Sequence, residues 1–191
     1  MNERDMREQI AEQIQLLTQL QNSPSLQDKL ETAVRWISGA LRDGLPVLLC
    51  GNGGSAADAL HISGELVGRF LTERKALNVI CLNANVSVLT AWSNDYEYES
   101  VFARQVEAHG RENGVLWGIS TSGNSENVVQ AFQVAKQLDV KTIALTGQGG
   151  GKLAKISDLI IEVPSHSTPR IQELHMPIYH YLCEQVEREL C

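Results

Sequence analysis

Residues Leu45 to Phe70 read LPVLLCGNGGSAADALHISGELVGRF, and this stretch decides the fold. Val47-Leu48-Leu49-Cys50 is a short apolar run of strand type, Gly51-Asn52-Gly53-Gly54 cannot continue it, and from Ser55 to Phe70 apolar residues recur at helical spacing. A strand therefore feeds a helix through a glycine turn. Such a turn lets backbone N–H groups approach a ligand closely, and the positive end of the helix dipole favours an anion there. Further along the same helix, His61 and Glu65 stand at i and i+4 and so on one face. A phosphate anchor and an acid–base pair are expected to share one cleft. A His/Glu pair at this spacing is also a common solvated surface pair, so spacing alone leaves both readings open.

Working outward, strand and helix patterns alternate. Strand Asn78 to Leu82 precedes a helix from Asn85 to Ser93, and strand Val115 to Ile119 precedes a helix from Ser125 to Gln137. Strand Thr142 to Leu145 precedes a short helix near Lys152 to Ile156, and strand Leu159 to Val163 precedes a final helix from about Thr168 to Leu190. Alternation with apolar strands means a parallel sheet covered on both faces, an α/β fold with ligands at the carboxyl ends of its strands. Gly51-x-Gly53-x-x-Ala56 also fits the loose dinucleotide fingerprint. That fingerprint calls for an acidic residue after the second strand, and here the strand ends in Asn83.

Upstream, residues 2 to 21 carry Ile10, Ile14, Leu17 and Leu20 at three- and four-residue steps, an amphipathic helix broken by Asn22-Ser23-Pro24-Ser25. Ser25 is the expected cap of a second helix, with Leu26, Leu30, Val34, Ile37 and Leu41 inward and Trp36 of undecided facing, which Asp43-Gly44 ends. This hairpin has little to pack on within a small parallel-sheet domain, so it is expected to pack against a second copy of the chain. The reading is one domain over 1–191, with helices over 1–43 and the sheet core and last helix over 44–191.

At 191 residues the chain suits one domain with a sizeable core. A net charge of −7 and the lack of a basic cluster argue against nucleic acid, whose phosphates are held mainly by Lys and Arg. Cys50, Cys81, Cys183 and Cys191 form no CxxC, so reduced thiols in a cytoplasmic protein are expected. The N-terminus MNERDMREQ is charged, and no apolar run approaches the roughly 20 residues that cross a bilayer, so neither membrane insertion nor export is expected.

Two strand ends are chemically loaded. Val115 to Ile119 runs into Ser120-Thr121-Ser122-Gly123-Asn124-Ser125, where four hydroxyls within six positions and a helix start make an anion cradle without positive charge. Asn94-Asp95 reads as a turn, placed to hold sugar hydroxyls. The loop Thr146 to Lys152 is too glycine-rich to be rigid alone, and it is no Walker A loop because no Ser or Thr follows Lys152 and its glycines are misspaced. The last helix carries Gln172, Glu173, His175, Tyr179 and His180, and periodicity does not choose between the two histidines.

Read together, GNGGSAADALHISGELVGRF, SNDY, ISTSGNSENV, LTGQGGGKL and RIQELHMPIYH resemble the sugar isomerase (SIS) domain, and within it the phosphoheptose isomerases, in register from about residue 35 to 185. The resemblance implies a three-layer αβα sandwich with a five-stranded parallel sheet, in a homotetramer whose active sites lie between subunits. It implies aldose–ketose conversion of D-sedoheptulose 7-phosphate to D-glycero-D-manno-heptose 7-phosphate, a phosphorylated seven-carbon sugar serving lipopolysaccharide core biosynthesis. It further implies Glu65 and His180 as the acid–base pair and Ser120, Thr121, Ser122 and Ser125 around the phosphate. Asn52, Gly53, Gly54, Asn94 and Asp95 would surround the sugar, and His61, Glu65, Gln172 and His180 match the zinc ligands of some members. Some members carry His-Cys where this chain has Ala56-Ala57, and an acidic residue in place of Pro169, so whatever those groups do is not transferred. The alternative is a non-catalytic SIS-fold tetramer that binds the replication initiator DnaA; Glu65 and His180 favour the isomerase. A sugar-phosphate sensor using the same pocket without catalysis is a third reading.

Overall fold

The computed structural model describes residues 5–191. The first helix, α1 (Met6–Gln21), begins at Asp5, whose carboxylate accepts hydrogen bonds from the Arg7 and Glu8 backbone N–H groups at 2.7 and 3.0 Å, satisfying two donors that a helix start leaves open. Residues 2–4, included in the helix read from sequence, lie outside the described residues. There follow α2 (Leu26–Arg42), β1 (Val47–Gly51), α3 (Gly54–Val67), β2 (Val79–Cys81) and α4 (Val86–Asp95). Next come α5 (Val101–His109), β3 (Val115–Ser120), α6 (Glu126–Gln137), β4 (Lys141–Thr146), β5 (Leu159–Glu162) and α7 (Thr168–Leu190). The five strands form one parallel sheet in the order β2-β1-β3-β4-β5.

Alternate residues of each strand face opposite layers. Val47, Leu49, Trp117, Ile119, Ile143 and Leu145 pack under α2, α3 and α7, while Leu48, Cys50, Leu116 and Ala144 pack under α5 and α6. The three-layer αβα sandwich is as expected. Trp117, Tyr179, Phe102 and Phe132 are its largest fully buried side chains, and burial of each such group is worth roughly 1.5–3 kcal/mol.

Several local expectations need correction. The hairpin does not stand off the sheet: Leu30, Ala33, Val34, Ile37, Ala40 and Leu41 put α2 in the core of its own chain, with Leu26 and Trp36 packed at its edge. Ser25 occupies the cap position without a side-chain hydrogen bond. On α1 only Leu20 is buried; Ile10, Ile14 and Leu17 are exposed, because the helix turns Gln9, Glu12 and Gln13 toward Arg170 of α7. The short helix after β4 is a single 3-10 turn, Leu153–Lys155. Asn94 and Asp95 close α4 instead of forming a free turn. Helix α5 was not read from sequence at all, although Val101, Phe102 and Val106 are fully buried.

Candidate active site

Strands β1 and β3 are neighbours, yet the helices that follow them cover opposite faces of the sheet, α3 on one and α6 on the other. Their carboxyl ends therefore part and leave a crevice, the position where open α/β sheets bind ligands. The Gly51–Gly54 turn forms one lip. Asn52 spans the opening: its amide donates to Asn127 Oδ1 at 2.8 Å, and its Oδ1 accepts from Asn127 Nδ2 at 2.9 Å and from the Tyr98 hydroxyl at 2.8 Å. Gly53 has φ 55°, in the left-handed region, and a Cβ on Gly54 would collide with the Gln172 amide. Asn127 and Tyr98 were missed by sequence reasoning, since neither sits in a spacing that marks it.

The second lip gathers Ser120, Thr121, Ser122 and Ser125. The Ser120 and Ser125 hydroxyls share a hydrogen bond of 2.9 Å, and Ser122 Oγ accepts from Asn124 N at 3.1 Å. Ser120 is buried, Ser122 exposed, and α6 begins directly after Ser125 with its free N–H groups at this turn. The glycine loop after β4 is the turn's backing. Gly147 N donates to Thr121 O at 3.0 Å, Leu153 N to Gly123 O at 3.0 Å and Lys152 N to Asn124 Oδ1 at 3.0 Å. Gly123 has φ 65°, and a Cβ there would run into the Gly150 carbonyl. A loop that is floppy alone is fixed by lying against another glycine. Asn94 and Asp95 do not join this group; both are exposed, and Asn94 donates to Asp95 at 2.9 Å.

The candidate acid–base groups gather between α3 and α7. His61 Nε2 lies 3.0 Å from Glu65 Oε1, and His61 Nδ1 shares a hydrogen bond of 3.1 Å with the Tyr179 hydroxyl. The His180 ring stands edge-on to His61, centroids 5.1 Å apart, and is tilted over Phe70 at 5.7 Å. Burial, together with the neighbouring His61, lowers the His180 pKa, and Glu65 works in the opposite sense. Behind them, burial pushes the Asp58 carboxyl up to about 6, with His61 and Tyr179 partly offsetting it. Tyr179 rises to about 12, chiefly through burial and then through Asp58. His175, left undecided beside His180 in the sequence, is wholly buried, and burial lowers it to about 4.

The acid–base cluster lies further along α3 than the glycine turn. His61 lies seven residues below Gly54 and Glu65 eleven, so a rise of ~1.5 Å per residue puts them roughly 10 and 16 Å down α3 from the glycine turn. The four expected zinc donors are not all gathered: His61 and Glu65 meet and His180 adjoins them, but Gln172 rests against Gly54 at the other end. Among the described residues no group of three or more His, Cys, Asp or Glu is spaced to hold a metal ion. Three of the four donors, His61, Glu65 and His180, thus adjoin one another, and the fourth stands apart.

The family model of the SIS domain matches residues 10–147, which carry the glycine turn, the hydroxyl-lined turn and four of the five strands. Phosphoheptose isomerase of Helicobacter pylori strain ATCC 700392 / 26695 is 53% identical over 163 residues, 85% of each chain. That of Rhodospirillum rubrum is 52% identical over 155 residues, 81% of this chain and 82% of its own. The structure of a phosphoheptose isomerase from Francisella tularensis superposes with a TM-score of 0.91 at 36% identity, covering 96% of both chains. One from Neisseria gonorrhoeae gives 0.88 at 39% identity, covering 94% and 95%. The chain belongs to the SIS-domain family, in its phosphoheptose isomerase branch. These relatives lend no support to the initiator-binding alternative. Among the described residues no helix is long and apolar enough to cross a membrane.

Proposed function

We propose that the protein is an aldose–ketose isomerase that converts D-sedoheptulose 7-phosphate to D-glycero-D-manno-heptose 7-phosphate in the cytoplasm, for heptose and lipopolysaccharide core biosynthesis. The observation that carries this reading is the carboxylate–imidazole cluster of Glu65, His61 and His180, in a chain half identical to named phosphoheptose isomerases. Moving a carbonyl between C2 and C1 needs a base to take a proton α to the carbonyl and an acid to steady the developing enediolate oxygen. Glu65 is the base and His180 the acid. Ser120, Thr121, Ser122 and Ser125 hold the phosphate, so binding energy from the non-reacting end orients the carbons that react. Asn52, Gly53 and Gly54, with Asn94, Asp95 and Gln172, line the sugar.

Glu65 lies roughly 16 Å along α3 from the glycine turn, and in this reading a second copy brings its acid–base cluster to the phosphate turn of the first. The homotetramer supplies that arrangement, and the exposed stripe of Met6, Ile10, Ile14 and Leu17 on α1 is apolar surface for it. A monomer in analytical ultracentrifugation at micromolar concentration would remove this part of the reading. Zinc belongs to the proposal on the strength of its nitrogen and oxygen donors, His61, Glu65, Gln172 and His180, where a bound ion would polarise a carbonyl. No step above is routed through it, and elemental analysis of purified protein decides its presence.

The deciding experiment incubates the protein with sedoheptulose 7-phosphate and follows the aldose by NMR, with and without chelator. Conversion is expected. Its absence would reject the isomerase.

A further inference from the structure

Glu187, on the last turns of α7, is 2% exposed, whereas the other glutamates among the described residues reach solvent more freely. Its Oε1 accepts from Phe70 N at 3.0 Å, and its Oε2 accepts from Leu71 N at 2.7 Å and Thr72 N at 2.9 Å. The Arg74 Nε lies 3.1 Å from Oε1, and the Arg74 side chain is 5% exposed. Burial opposes the charged form, yet the three backbone donors and the guanidinium hold the Glu187 carboxyl below its ordinary value. A buried carboxylate this fully satisfied is an organised feature.

The other end of the guanidinium reaches α3. Arg74 Nη2 donates to the Glu65 carbonyl at 2.8 Å, and Nη1 donates to the Gly68 carbonyl at 3.2 Å and to the Lys75 carbonyl at 3.0 Å. Helix ends leave carbonyls without intrahelical partners, and a planar fork of five donors can serve two of them at once. The backbone bearing Glu65 is thus held by Arg74, and Arg74 by Glu187. The same carboxylate fixes Phe70, whose ring lies under His180 at 5.7 Å with a 32° tilt. One carboxylate therefore sets the backbone under Glu65 and the aromatic seat of His180.

We propose that the Arg74–Glu187 pair is a positioning clasp that holds Glu65 and His180 in mutual register for proton transfer. The two residues touch no substrate themselves; they act through the end of α3 and through Phe70. The inference rests on the isomerase reading given above, in which those two side chains are the acid–base pair. The phosphate turn lies on β3 and α6 and shares no hydrogen bond with the clasp, so loss of the clasp should move turnover and leave substrate capture alone.

The test compares Arg74→Met, Arg74→Lys and Phe70→Leu with the wild-type oligomer, measuring kcat, KM for sedoheptulose 7-phosphate, melting temperature and amide hydrogen exchange. Arg74→Met should lower kcat at least tenfold with KM within twofold, and should speed exchange in residues 65–75 while residues 120–125 keep wild-type protection. Arg74→Lys keeps the charge beside Glu187 but cannot reach two carbonyls together, so it should recover melting temperature more fully than kcat. Phe70→Leu leaves the ion pair in place and should still cost kcat severalfold. A folded Arg74→Met with wild-type kcat overturns the inference, as does a Phe70→Leu variant without a kcat effect. So does a kcat that simply follows melting temperature across the set. An inactive wild type overturns the isomerase reading and this inference with it, whereas an active wild type beside an equally active Arg74→Met overturns this inference alone.

Discussion

The two ends of α3 are built on opposite plans. At its start, the glycine turn and the hydroxyl-lined turn are finished objects within one chain: Asn52 is held by three hydrogen bonds, and the turn after β3 is backed by the Gly147–Lys152 loop. Toward its end, His61 and Glu65 reach solvent, with Leu60, Val67, Leu71 and Met176 exposed on the same pair of helices and the loop that follows. The anion end is preorganised by hydrogen bonds between loops and by glycine-on-glycine packing. The proton-transfer end keeps its surface open. Phosphate capture and chemistry should therefore fail separately.

The largest expected effect breaks the chemical end alone. Glu65→Gln keeps shape and loses the base, so kcat should fall by a factor on the order of 100 or more while affinity for the phosphate ester persists. Near wild-type kcat in a steady-state assay would contradict the assignment. Gly123→Ala attacks the other end. Its left-handed φ and the Gly150 carbonyl leave no room for a methyl group, so the hydroxyl turn must shift. Stability should drop by about 2 kcal/mol by denaturant unfolding, and KM should rise roughly tenfold with a smaller change in kcat. A substitution with the reverse pattern would erase the contrast between the ends.

A third effect, seen only on acidification, lies in the core that joins them. His175 has an ordinary pKa of 6.5 and is lowered to about 4 by burial, so the unfolded chain binds a proton that the folded chain refuses. Its contribution is intact above pH 6.5 and is lost as pH falls toward 4, amounting to on the order of 2–3 kcal/mol over that window. Melting temperature should decline between pH 7 and 4.5 more steeply in the wild type than in His175→Leu. Parallel curves would show that His175 titrates normally.

Much of the fold was legible because its signals are local. Val47 to Cys50 followed by four residues with three glycines can only be a strand leaving through a turn, and the apolar runs at Val115 and Thr142 repeat the lesson. Helix α5 escaped notice because Phe102 and Val106 stand among Glu99, Arg104, Gln105 and Glu107, and its burial depends on α6 packing beside it. Helix α1 shows the reverse failure. Its apolar spacing is real, but the helix spends that face on the surface and turns its polar side to Arg170, a choice made by a residue 157 positions from Gln13 and 161 from Gln9.

For the site, sequence by itself determined the parts: a hydroxyl-rich turn at a strand end, a His/Glu pair on one helix face, and two histidines on the last helix. Periodicity repeats every few residues and cannot rank His175 against His180. Only the tertiary structure buried the first under the sheet and set the second beside His61 and Phe70. It alone put Tyr179 on His61, Asn127 on Asn52 and Glu187 under the end of α3, because each of those hydrogen bonds joins residues that are distant along the chain and are brought together only by the packing of the layers.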